Sequence, residues 1–437
     1  MYQKTIRLLI GLFLIELCFT ISSGCTNNNH KTIRIGVLFK SELNGYSNYA
    51  QDIENKQNVT IDLNYIVDDT KKVPDLWSVI KKSLASETNN FDLIVGVPSN
   101  YIPDLIKEKK VQSMDSYIQR DHLDLNHLYQ PVIDISKQIG GGKIYSLAPR
   151  FSTSFLMIND SLFKNIKLEV PSKPLSWNDI ENIGNSIKQK SENNPRKIYP
   201  ISLGPGQKIG FFEDYKILSL PLGIKAEGKD GKFYDTKAWK DNLQFFTTIY
   251  QKYGLDDASD EEFNRGKVAL KVSYLVDLED RLSKTNWDDT FQNFKMSILP
   301  MPYYKNLPQT TYTRVDDNML IPENSIHKKQ AWGIVKYTIS RDYADNHINI
   351  NTGSIPFKGD FFTYYDKSTI NLYKKRYNDI NADYFYYGKK GRVDRDTFNY
   401  QTYEKLEAQS LKYFYQMLDR QNTVTTSIKL LNDSLKK

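Results

Sequence analysis

The strongest constraint on the fold is the alternation of apolar strands and amphipathic helices between Thr32 and Gly96. Residues 33–39 (Ile-Arg-Ile-Gly-Val-Leu-Phe) and 91–96 (Phe-Asp-Leu-Ile-Val-Gly) are short, largely apolar runs. Residues 60–66 alternate with the two-residue period of a half-buried strand. Between them, 46–56 can form a helix, and 74–86 sets Leu76, Val79, Ile80 and Leu84 on one helical face. Strands separated by helices of this length form βαβ units, in which neighbouring strands run parallel. In such sheets a ligand sits outside the carboxyl ends of the strands. The segments 39–41 and 97–101 are therefore expected at a ligand site, with Asn100 and Tyr101 as candidate contacts.

At 437 residues the chain exceeds one typical core, so two domains are expected. The net charge of +7 comes from 59 basic and 52 acidic residues that are interleaved along the chain. A nucleic-acid binder gathers Lys and Arg on one face. Here the one compact basic run, Lys389, Lys390, Arg392 and Arg395, is interrupted by Gly391 and Asp394 and reads as a solvated loop. No nucleic-acid partner is expected.

The N-terminus carries an export signal. Lys4 and Arg7 precede the apolar run 8–15, and small residues follow up to Cys25. The run is too short to span a bilayer, which makes residues 1–24 a signal peptide. Ser22-Ser23-Gly24-Cys25 resembles a lipobox, although Ser22 replaces the usual leucine and Glu16 interrupts the apolar stretch. The resemblance implies lipidation at Cys25, with 25–31 as a polar tether to the outer face of the cell membrane. Both cysteines, Cys18 and Cys25, lie in the first 25 residues. The body of the chain therefore has no thiolate nucleophile, cysteine zinc site or disulfide framework.

The stretch 142–177 adds a family resemblance. Gly142, Lys143, Tyr145 and Pro149, then Asn159, Asp160, Leu162 and Phe163, then Pro174, Ser176 and Trp177 follow the order of a pattern in bacterial extracellular solute-binding proteins. These are the sugar-binding receptors of ABC importers. Further matches are Met114, Asp115, Tyr117 and Ile118; 263–270 (Phe-Asn-Arg-Gly-Lys-Val-Ala-Leu); Pro300-Met301-Pro302; and Pro322 to Ser325 followed by Ala331-Trp332. The resemblance runs from Thr32 towards the end and is weakest over 358–402. It implies an α/β, two-lobed periplasmic-binding-protein-like (Venus flytrap) fold, with a mainly parallel sheet in each lobe and several lobe crossings. The implied boundaries are 32–148 plus 302–341 for the first lobe and 149–301 plus 342–437 for the second.

Catalytic signatures are missing from the sequence. There is no Gly-x-Ser-x-Gly elbow, no His-Glu-x-x-His and no Walker loop, and Gly140-Gly141-Gly142 lacks the Lys-Ser/Thr that a phosphate loop needs. His122 and His127 are five apart and fall on different helix faces. No metal or cofactor is expected. What remains suits recognition: an aromatic face packs against the C–H face of a sugar while planar polar groups pair with its hydroxyls. Candidates at strand ends and crossings are Asn100, Tyr101, Arg150, Phe151, Tyr274, Asp277, Arg314, Asp316 and Asp317. A packing or ion-pair role competes with ligand contact at each of them. Arg150 leads because it follows Pro149 at the first crossing. The expected function is a monomeric receptor, not an enzyme, that closes on a sugar or oligosaccharide and delivers it to an ABC permease. A surface glycan hydrolase using a carboxylate pair, or a receptor reporting to a membrane kinase, are the alternatives.

Overall fold

The computed structural model describes residues 31–71, 76–85, 90–203, 215, 218–228, 230–253, 260–283, 294–307, 310, 312–315, 317–348, 361–377, 380–389, 391 and 400–436. The expected signal peptide, Cys25 and Asp316 lie outside them.

The chain opens with β1 (Lys31–Phe39), α1 (Leu43–Gln57), β2 (Val59–Val67), α2 (Leu76–Ala85) and β3 (Leu93–Val95). Helices α3 (Ile102–Lys107), α4 (Asp115–Arg120) and α5 (Gln130–Ile139) lead to β4 (Ser146–Leu147). Two strands then run on from the first sheet, β5 (Arg150–Thr153) and β6 (Phe155–Asn159), followed by α6 (Asp160–Asn165), α7 (Trp177–Ser191) and β7 (Tyr199–Ser202). Next come α8 (Lys237–Tyr253), α9 (Asp260–Asn264), β8 (Val268–Ser273), α10 (Leu275–Ser283) and β9 (Met296–Pro300). The return comprises β10 (Thr313–Arg314), β11 (Met319–Leu320), α11 (Lys328–Thr338) and α12 (Arg341–Ile348). The chain ends with β12 (Phe361–Phe362), α13 (Lys367–Arg376), α14 (Tyr400–Leu418) and α15 (Val424–Leu435).

Among the described residues the strands form three sheets. The first has the order β2-β1-β3-β11-β4, the second β7-β8-β6-β9, and a small one has the order β10-β5-β12. β1 pairs parallel with β2 over Lys31 to Phe39 and with β3 at Ile35–Val37, as βαβ connections require. The second sheet departs from the expected mainly parallel arrangement. There β7 and β8 are parallel, but β6 is antiparallel to both β8 and β9. β6 enters from the first sheet, so it runs against the strands whose carboxyl ends face that sheet.

Local sequence explains the supports. Ser176 caps α7 in a reciprocal capping box with Asp179, which satisfies two orphan N–H groups at the helix start. Trp332 is buried on α11, and its indole N–H donates to Asp121 at 2.9 Å. The region around 361–386, unassignable from sequence, supplies an aromatic core to the small sheet. Phe151 on β5 stacks on Tyr129 with ring centroids 4.4 Å apart, and Phe361 and Tyr386 pack 5.8 and 5.6 Å from it. Among the described residues, no helix is long and apolar enough to cross a membrane.

Gly184 on α7 lets α8 approach closely. A Cβ there would lie 2.6 Å from the Tyr253 ring, whose hydroxyl donates to Glu181 O at 2.9 Å. Gly184→Ala should destabilise the protein by about 1–3 kcal/mol through overpacking, read as a lower urea midpoint with an unchanged slope.

Candidate functional site

The carboxyl ends of β1 and β3 and the crossing strands meet at one edge of the first sheet. Met319 pairs with both Val95 and Leu147, which brings the turn before β11 beside the loop after β3 and the exit of β4. Asn318 fastens these loops: its Nδ2 donates to Val97 O at 3.0 Å, Val315 O at 2.9 Å and Ser99 Oγ at 3.2 Å. From the second sheet, Phe155 pairs with Ser273 and Pro300, so the carboxyl end of β8 points back towards the same place. The site lies where the two carboxyl edges face each other, as in other open α/β sheets.

At its base is a buried ion pair. Arg150 is 3% exposed and donates through Nε at 3.0 Å and Nη2 at 2.5 Å to Asp317 Oδ2. Tyr46 OH, on α1, donates to Asp317 Oδ1. The guanidinium lies 5.8 Å from the Tyr49 ring centroid, a cation–π arrangement, and Tyr343 and His347 of α12 pack on the same tyrosine. A cavity of about 20 Å³, lined by Tyr49, Pro149, Arg150, Asp317 and Met319 among others, lies beneath. That is room for roughly one water molecule.

Glu42 completes the cluster. It directly precedes α1, and its Oε2 is buried without a hydrogen-bond partner among the described residues. Gly96 makes room beside it. At φ +86 glycine holds a conformation that side chains rarely adopt, and a Cβ there would sit 3.4 Å from Glu42 Oε2. Burial, and then the Asp317 charge, push the Glu42 carboxyl up to about 7, with Asp69 adding and the Phe39 backbone and Arg150 opposing. Near the crossing, Ser154 and Ser273 each bury a hydroxyl with no partner among the described residues.

The sequence candidates separate clearly. Arg150 and Asp317 are brought together, but as partners of each other. Asn100 and Tyr101 are half-buried in the loop after β3, the Tyr101 N–H donating to Pro98 O at 3.1 Å. Phe151 is 1% exposed and sits in the aromatic core, away from any open surface. Tyr274 is half-buried at the end of β8 with its ring 6.5 Å from Tyr312. Asp277 Oδ2 accepts the Tyr274 N–H at 2.9 Å, capping α10, and lies 3.7 Å from Lys271 Nζ. Arg314 is exposed on β10.

Sequence reasoning misses Glu42, Tyr46 and Asn318. The expected loop stops at Ser41, one residue short of Glu42. A groove of about 500 Å³ bordered by Lys188, Glu192 and Arg196 lies at the amino end of β7, the wrong end of that sheet for this site. Among the described residues no group of three His, Cys, Asp or Glu side chains could hold a metal ion.

Known proteins frame this geometry. Residues 40–345 match the family described as bacterial extracellular solute-binding protein. A putative binding protein of Brucella abortus is 21% identical over 368 residues, covering 80% of each chain. A sugar transporter from Rhizobium etli, in an open conformation, superposes with a TM-score of 0.71 at 12% identity, covering 93% of this chain and 99% of the other. The sugar-binding protein of Xanthomonas citri gives 0.66 at 15% identity over 93% and 98%. The cyclic α-maltosyl-1,6-maltose binding protein of Arthrobacter globiformis gives 0.64 at 12% over the same shares. The fold is that of these two-lobed binding proteins.

The buried cluster sets two expected outcomes. Arg150→Ala should cost about 3–5 kcal/mol of stability by stranding Asp317, while the paired change Arg150→Met with Asp317→Leu should recover much of it; urea unfolding of the single and double variants measures both. Glu42 loses its proton near 4.5 when unfolded and near 7 when folded. The folded state therefore binds more protons in that window, and this contribution to stability falls as pH rises through it. Urea midpoints for Glu42→Gln should rise relative to the unsubstituted protein between about pH 5 and about pH 8.

Proposed function

The chain belongs to the bacterial extracellular solute-binding proteins, and on that footing we propose that it is the capturing component of an ABC importer. Its ligand is a sugar or oligosaccharide, held between the lobes and passed to a membrane permease. The observation that carries this reading is the convergence of polar and aromatic loops from both carboxyl edges on the crossing strands, beside a carboxyl group with an unpaired oxygen. The structurally similar proteins from Rhizobium etli, Xanthomonas citri and Arthrobacter globiformis are described as sugar transporting or sugar binding, which supports the ligand class.

Each residue has a part. Asn100, Tyr101 and Tyr274 stand at the cleft and meet the ligand, with Glu42 as a further contact. Arg150 and Asp317 hold the crossing in place and act on the ligand through Tyr46 and Glu42. Arg314 borders the second crossing. The lobes divide at 32–148 plus 302–341 and 149–301 plus 342–437, and the ligand's greater affinity for the closed arrangement drives closure. Turnover is not required. Asp317, the described carboxylate that acts most on Glu42, accepts from Arg150 and Tyr46, as a supporting rather than a reacting group would. The signal peptide 1–24 directs export, and lipid on Cys25 ties the monomer to the outer face of the cell membrane.

Isothermal titration against mono- and oligosaccharides should give saturable binding to at least one, lost or weakened about tenfold or more in Tyr101→Ala, the scale of one buried aromatic contact. Small-angle scattering with that sugar should show compaction. No heat across a broad panel would remove the sugar assignment, and binding without compaction would remove closure.

A further inference from the structure

At the amino edge of the first sheet, opposite the cleft, the turn 322–327 leaves Ile326 86% exposed, the greatest exposure of a large apolar side chain among the described residues. The turn is braced. Asp92 Oδ1 accepts from Ser325 Oγ at 2.8 Å, Asp92 Oδ2 lies 3.2 Å from His327 Nδ1, and Ser325 Oγ accepts the His327 N–H at 3.1 Å. The Glu323 N–H donates to Lys110 O at 2.9 Å. An isoleucine on a mobile loop can fold away from water; this one is held out.

The same edge is where the chain enters the domain. Asp92 Oδ2 also accepts the Arg34 N–H at 3.1 Å, so Asp92 links Ser325, the neighbour of Ile326, to the strand that begins at Lys31. Cys25 is six residues earlier, a reach of at most about 20 Å when fully extended. Lys31, Lys56, Lys109 and Lys329 are exposed at ends of elements that reach this edge, with Lys110 and Lys328 half-buried beside them. Glu323, 3.4 Å from Lys328, is the acid within the turn.

We propose that this edge docks on the surface of an anionic phospholipid bilayer, with Ile326 entering the headgroup boundary and the lysines meeting lipid phosphates. The inference rests on the reading that Cys25 carries the anchor. A short tether confines the edge near the bilayer, where one apolar side chain and several lysines supply weak added affinity. Docked this way, the protein holds the cleft away from the membrane and open to arriving ligand, and delivery to a permease requires the edge to let go.

The test uses the full chain processed in its host, reconstituted on vesicles of phosphatidylglycerol and phosphatidylcholine and compared with the same protein in solution by hydrogen exchange. Amides of 322–329 and 107–112 should exchange about threefold or more slowly on the vesicles. The protection should vanish in Ile326→Asp and in Lys109→Glu with Lys110→Glu, and persist in Ile326→Leu. Retention on vesicles that is abolished by Cys25→Ser reports the anchor separately. Retention without protection overturns the docking surface alone, whereas protection with retention unaffected by Cys25→Ser overturns the anchor alone. Protection that rises with protein concentration without vesicles assigns the edge to a second copy and overturns the membrane reading.

Discussion

The structure depends most on one buried ion pair, Arg150 with Asp317. Withdrawing both charges from water costs several kcal/mol each, and Coulomb attraction alone rarely offsets that. Here further contacts add to the attraction. Asp317 takes two N–H donors on one oxygen and the Tyr46 hydroxyl on the other, while Tyr49 faces the guanidinium. Three separate parts of the chain are thereby tied: the start of β5, the turn before β11, and α1. The strand that leaves the first sheet and the turn that re-enters it are thus bonded to the first helix at one point.

The pair also determines the chemistry of its neighbour. Two carboxyl groups, Glu42 and Asp317, stand beside one guanidinium, and Asp317 has claimed it. Ionising Glu42 would leave an uncompensated negative charge in a partly buried place, so the proton is retained to about 7. A neutral carboxyl both donates and accepts hydrogen bonds, which suits the mixed donors and acceptors of a sugar hydroxyl better than a carboxylate does. Burial first, and the neighbouring Asp317 charge second, thus keep Glu42 protonated to about 7, which under the proposed function would suit an uncharged ligand.

How much of this is legible in the sequence depends on the range of the interactions. Periodicity and caps are local, so the βαβ order of the first sheet, the capping box at Ser176 and the buried Trp332 can be read directly. Arg150 is marked by its place after Pro149, but its partner lies 167 residues away, and nothing local distinguishes a buried guanidinium from one that meets a ligand. Phe151 shows the same limit: its place at the crossing makes it a candidate contact, whereas the aromatic floor that buries it comes from Tyr129, Phe361 and Tyr386. Asp277 resembles a free carboxylate in the sequence because its partner is a backbone N–H three residues back. The antiparallel pairing of β6 is hidden because the second sheet is built on a strand arriving from the first.

Closure needs a source of free energy, and the unpaired groups identify one. Shifting a two-state equilibrium from 1:99 to 99:1 takes about 5.5 kcal/mol of differential affinity. Glu42 Oε2 and the hydroxyls of Ser154 and Ser273 are buried without partners among the described residues, and leaving such a group unpaired costs about 1–3 kcal/mol. A ligand, or a closed arrangement, that pairs two or three of them would contribute about 2–9 kcal/mol, a range that includes the required amount, without a new apolar interface. Uncommitted polar groups at a crossing are costly in the unliganded protein, and under the proposed function that cost would favour a closed, liganded arrangement. The committed pair beneath them, Arg150 with Asp317, has no unpaired carboxylate oxygen to offer, so in such an exchange of partners it would be the part that stays fixed.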